Sequence, residues 1–106
     1  MPEFVHHAIY RGIATISLNR PKLHNAFNEV MIAELAAEVR QVADVPEVRV
    51  IVLAGAGRLF CAGADLAWMQ KVVNYSHAEN VADANALAAM VRTNQDCPEP
   101  TIARVH

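Results

Sequence analysis

Apolar positions recur with two different periods along this chain, and the changes of period mark its elements. Phe4 to Tyr10 reads as a strand, Gly12 permits a tight turn, and Ala14-Thr15-Ile16-Ser17-Leu18 alternates as a half-buried strand does. The pair predicts an antiparallel hairpin. Pro21 disfavours helical geometry at Arg20, so Arg20 to Asn25 is a loop. From Glu29 to about Ala43 the period becomes helical. Ile32, Leu35, Val39 and Val42 recur at spacings of three and four, with Asn28 as a plausible N-cap. Beyond Pro46 the run Val48 to Ala54 predicts a buried strand.

A small-residue loop, Phe60-Cys61-Ala62-Gly63-Ala64-Asp65-Leu66, leads into a helix start at Ala67 to Lys71. Ser76-x-x-Glu79 is a capping box that opens a longer helix. Val81, Ala84, Ala88 and Val91 share one face of it, which Leu87 widens, and Pro98 and Pro100 close the helical region. Thr101 to His106 begins another strand. The element order predicts an α/β layered core, a sheet with helices packed on it. Val50, Ile51, Val52, Leu53, Ile16 and Leu18 are expected to be buried.

Composition narrows the class. The 106 residues allow at most one ordinary domain, and 54% hydrophobic with 19% charged residues describes a packed chain. A net charge of −2 with interspersed signs gives no electrostatic case for nucleic acid or an anionic membrane. The longest apolar stretch starts at Val50 and is far short of the roughly 20 residues that span a bilayer. Met1-Pro2-Glu3-Phe4 carries no signal-peptide pattern. The expected location is the cytoplasm, although an organelle protein stripped of its transit peptide would look the same. Cys61 and Cys97 make no C-x-x-C pair and are read as free thiols.

Most chemical motifs fail on inspection. Gly55-Ala56-Gly57 follows a strand, but Phe60 stands where a dinucleotide loop needs its third glycine. No Gly-Lys-Ser/Thr triplet exists for a phosphate loop. His6, His7, His24, His77 and His106 have no helical i,i+4 pairing, so no metal site is expected. Glu34 and Glu38 lie one helical turn apart, opposite the apolar stripe, and read as a solvated face. Asp65 is first of all an N-cap. The loop Cys61 to Asp65 has no side chain suited to covalent or acid–base work. What it offers is backbone N–H groups at a helix start, able to hold an oxygen that gains negative charge.

Four blocks then resemble one family in order and spacing. Asn19-Arg20-Pro21-Lys22-Leu23-His24-Asn25-Ala26-Phe27, Val50 to Gly55, Phe60 to Leu66 and Pro100-Thr101-Ile102-Ala103 resemble the enoyl-CoA hydratase/isomerase (crotonase) superfamily, over essentially the whole chain. Asp65 to Met69 and Asn80 to Ala84 look most like the methylglutaconyl-CoA hydratases within it. The resemblance implies the crotonase-like (ClpP/crotonase) fold, a spiral of ββα units. Residues 1–106 would be the N-terminal part of one such domain.

The resemblance also implies roles. The Ala64 amide would be one of two donors to a thioester oxygen. Lys22, His24, Ala26, Ala62, Asp65 and Leu66 would border coenzyme A. Trp68 and Met69 would line the acyl pocket or, equally, pack into the core. The implied substrate is an acyl-CoA thioester, with no cofactor beyond the coenzyme A it carries and no metal, nucleic acid or membrane partner. The implied reaction is conjugate addition of water to an α,β-unsaturated thioester, in a homo-trimer or hexamer. The family's second oxyanion donor and its two acid–base glutamates match no position here. By itself this chain is therefore expected to be inactive, to lack a closed core on one side and not to be a stable monomer. The competing reading is a non-catalytic acyl-CoA-binding or assembly module. Hydratase, isomerase, dehalogenase and hydrolase chemistry are not separable from these residues.

Overall fold

The computed structural model describes residues 4–63, 65–95 and 99–106. Four strands form one sheet whose spatial order is the chain order, β1 (Val5–Tyr10), β2 (Ile13–Leu18), β3 (Val50–Gly55) and β4 (Thr101–Ala103). β1 and β2 are antiparallel, with Val5 opposite Leu18 and Tyr10 opposite Ile13. Arg11 and Gly12 turn the hairpin, both at positive φ, which matches the twist of the strands they join.

β3 lies parallel to β2, and β4 parallel to β3. Parallel neighbours need a crossover. Helix α1 (Glu29–Ala43) supplies the first, and α2 (Leu66–Val72) with α3 (His77–Gln95) supplies the second. The expected hairpin, helix, strand and capped helices are all present. α1 has the predicted bounds, and the Asn28 side chain accepts a hydrogen bond from the Met31 amide at 2.9 Å. The capping box before α3 is closed in both directions, Ser76 N–H to Glu79 at 3.1 Å and Glu79 N–H to Ser76 Oγ at 3.2 Å.

The core lies between α1 and one face of the sheet. Val5, Ala14, Ile16, Leu18 and Ile51 pack with Met31, Ile32, Leu35, Val39 and Val42. Of the strand residues expected to be buried, Ile16, Leu18 and Ile51 are. Val50, Val52 and Leu53 are only half-buried. Val50 and Val52 point to the face away from Ile51, as alternation along a strand requires, and Leu53 sits at the margin of the core cluster.

Two further expectations need correction. Glu38 is buried and pairs with the His7 imidazole, and Glu34 accepts the Phe4 N–H at 3.0 Å. The N-terminal edge of the sheet covers more of α1 than its apolar stripe, so these carboxylates satisfy buried or half-buried donors instead of facing water. The second correction concerns α3. It packs beside α1 and contributes Met90 to the core, but Val81, Ala84, Leu87, Ala88 and Val91 are exposed. Helical spacing identifies residues that share a face; it does not say what covers that face. Pro98 and Cys97 lie outside the described residues, and Cys61 is a half-buried free thiol.

Candidate functional site

Two loops that stand far apart in sequence meet above the ends of β2 and β3. The first runs from Asn19 through a 3-10 turn, Pro21–Leu23, to His24 and Asn25, which both adopt left-handed φ of 52° and 58°. Asn tolerates that region better than most residues because its short side chain bonds to nearby backbone. Asn25 is fully buried. Its side-chain oxygen accepts the Arg20 N–H at 2.7 Å, and its amide nitrogen donates to the carbonyls of Ala56 and Leu59 at 2.8 and 2.9 Å. One side chain thus fastens the first loop to the second.

The second loop follows β3. A Cβ on Gly55 would stand 2.6 Å from the Phe60 carbonyl oxygen and 3.0 Å from the Asn25 amide, so this close approach admits only glycine. Gly63, at φ 100°, has open space around it and is needed for conformation instead. The loops also pair through main chain. Ala62 N–H donates to His24 O at 3.0 Å, Phe27 N–H to Gly63 O at 2.6 Å and Asp65 N–H to Phe27 O at 2.6 Å. These three bonds lock the residues on both sides of position 64.

Asp65 ends the loop and begins α2. One carboxylate oxygen accepts the Trp68 N–H at 3.0 Å, and the other lies 2.9 Å from the Arg20 guanidinium. The cap bond to Trp68 is the main cause holding the Asp65 carboxyl below its ordinary pKa. Burial opposes it, and Arg20 adds to it. Arg20 also donates to Ala26 O at 3.0 Å and lies over the Phe4 ring, 4.7 Å from its centre. Nearby, Lys71 on α2 pairs with Glu29 on α1 at 3.0 Å across the surface. Its own backbone first, and Lys71 second, hold the Glu29 carboxyl below the usual range. A cavity of about 130 Å³ lies between these helix starts, lined in part by Glu29, Trp68 and Lys71.

The structure places the sequence-derived site residues unevenly. Lys22 and His24 are exposed on the first loop, Ala62 is exposed on the second, and Ala26 is buried beneath them. The Asp65 side chain is buried and committed to its cap and to Arg20. Trp68 is 8% exposed and belongs to the core cluster, whereas Leu66 and Met69, one turn apart on α2, are 75% and 51% exposed. Core packing therefore describes Trp68 and not Met69. Ala64 lies outside the described residues. Sequence reasoning missed Arg20 and Asn25 as individuals. Their signal was local, an Arg before Pro21 and a polar residue inside an otherwise apolar packing zone. Among the described residues, no group of three or more His, Cys, Asp or Glu side chains is placed to hold a metal, and no helix is long and apolar enough to cross a membrane.

This fold recurs in known proteins. Residues 8–106 match the enoyl-CoA hydratase/isomerase family model. A solved enoyl-CoA hydratase from Shewanella pealeana superposes with a TM-score of 0.97 at 34% identity, over 99% of this chain and 40% of that one. The 1,2-epoxyphenylacetyl-CoA isomerase of Escherichia coli is 46% identical over 66 residues, 62% of this chain and 25% of its own. The human mitochondrial Delta(3,5)-Delta(2,4)-dienoyl-CoA isomerase is 30% identical over 91% of this chain and 32% of its own. The chain belongs to the enoyl-CoA hydratase/isomerase family, and its fold is that of crotonase. It spans between 23% and 40% of the length of the curated relatives it matches.

Proposed function

We propose that this chain supplies the coenzyme A-binding edge and one oxyanion donor of an enzyme that adds water to an α,β-unsaturated acyl-CoA. The observation that carries this reading is the three-bond ladder between residues 24–27 and 62–65. It fixes the backbone of the loop at the start of α2 without using any side chain of that loop except the Asp65 cap. Negative charge gathers on the thioester oxygen as water adds, and a preorganised N–H stabilises it there. Ala64 is the proposed donor. Lys22, His24, Ala62 and Leu66 offer exposed surface along which a coenzyme A could lie, and Met69 is placed to meet the acyl group. Methylglutaconyl-CoA is the proposed substrate, the cytoplasm the proposed location, and a homo-trimer or hexamer the proposed assembly of the polypeptide at family length.

The test is Ala64→Pro in a polypeptide of family length, assayed by the enoyl-thioester absorbance of crotonyl-CoA and methylglutaconyl-CoA. Loss of one oxyanion donor lowers turnover by roughly 10²–10³-fold. Ala64→Ser keeps the N–H and is expected to be mild. Wild-type turnover in Ala64→Pro would sink the proposal. The second reading is a non-catalytic acyl-CoA-binding or assembly module. It predicts coenzyme A binding by the 106 residues with turnover at background.

A further inference from the structure

We infer that Arg20 is a positioning residue that sets the loop before α2 for acyl-CoA, an inference that rests on the function proposed above for that loop. Asp65 could cap α2 with one oxygen and leave the other free to turn toward water. It does not, because Arg20 takes the second oxygen at 2.9 Å. The guanidinium is itself held from three sides. The Ala26 carbonyl accepts from it at 3.0 Å, the Phe4 ring lies against it, and its side chain is only 11% exposed. The Arg20 backbone is equally fixed. Its N–H reaches Asn25, and its carbonyl accepts from Leu23 and Asn25, each at 3.0 Å.

The result is a clamp on both flanks of the loop. On one flank the Phe27 main chain bonds Gly63 and Asp65; on the other Arg20 bonds the Asp65 carboxylate. Residue 65 is therefore fixed in position and in the direction of its main chain. Lysine cannot substitute. An ammonium is a compact point charge, whereas one planar guanidinium serves a carbonyl, a carboxylate and an aromatic face together. Lys22, two residues on, points into solvent and makes no part of this clamp.

The experiment uses the 106-residue chain, with amide hydrogen exchange followed residue by residue and free coenzyme A titrated against the fluorescence of its single tryptophan. In Arg20→Met, exchange at the Phe27 and Asp65 amides is expected to speed up by at least about tenfold, against less than about twofold at Ile16 and Ile51. Coenzyme A affinity is expected to fall at least about fivefold, with Arg20→Lys restoring less than half of either change. Asp65→Asn added to Arg20→Met should change little more, since the contact between the two side chains is already gone. Equal acceleration at Ile16 and Ile51 would reduce Arg20 to a general stabiliser and overturn the inference. So would a loosened loop with unchanged coenzyme A affinity, or full rescue by lysine. A wild-type chain that binds no coenzyme A, yet shows the local exchange response, would keep the clamp and remove the proposed function instead.

Discussion

The two crossovers of this molecule are built alike and end differently. α1 leaves β2, lies on the sheet and buries Met31, Ile32, Leu35, Val39 and Val42 before β3 begins. α3, four residues longer, returns the chain to β4 with Met90 buried, while Val81, Leu87 and Val91 are 38% to 54% exposed. Every residue of β4 is exposed as well. The comparison separates two things that an apolar stripe confounds: the tendency of a helix to have a greasy side, and the presence of something to cover it. Here one helix is half of a finished core, and the other presents unfinished apolar surface.

The largest expected effect breaks that comparison directly. Leu35→Ala should destabilise the fold by roughly 2–5 kcal/mol, because it opens a cavity among fully packed neighbours. Leu87→Ala, the same substitution on α3, should stay within about 0.5 kcal/mol. Urea denaturation of both variants measures the contrast; similar losses would mean that α3 is covered in solution. Next comes Asn25→Ala. It strands the Arg20 N–H and the Ala56 and Leu59 carbonyls and should cost about 3 kcal/mol. A loss below about 1 kcal/mol would show that the two loops are held together by something other than this side chain.

Smaller effects sharpen the contrast. Ser76→Ala removes one arm of the α3 capping box and should cost about 1 kcal/mol, seen as a lower denaturation midpoint. No change would indicate that α3 frays at its start in solution. The acid limb is expected to be gentler. Asp65 has its pKa lowered by folding, so its contribution is complete above the unfolded value of about 3.9 and is lost as pH falls through the lower folded value. Asp65→Asn should therefore flatten the decline in stability below about pH 4 while leaving the core transition intact. An acid limb identical to wild type would exonerate Asp65.

Much of this was legible in the sequence, for reasons that are local. Asn28, Asp65 and the Ser76/Glu79 pair are caps whose partners lie three residues away, so spacing alone finds them. The alternation of Ala14, Ile16 and Leu18 fixed which side of β2 faces the core. What escaped depends on residues distant in the chain. Nothing near Glu38 announces that His7 will lie beside it. Arg20 and Asp65 are separated by a helix and a strand, and only the fold makes them partners. Gly55 looks like a turn glycine, yet its constraint comes from the backbone of Phe60 and the Asn25 amide. The family blocks singled out both loops without showing that they bond to each other.

The sheet's strand order, which equals its chain order, has a consequence for synthesis. A ribosome releases this chain from its N-terminus, and domains begin to organise as they emerge. β1 and β2 close first through a two-residue turn. β3 then meets a β2 edge that already exists, and α1 has already been released to cover it. β4, added last, finds β3 in place. Each strand after β1 therefore emerges beside a neighbour that has already been made.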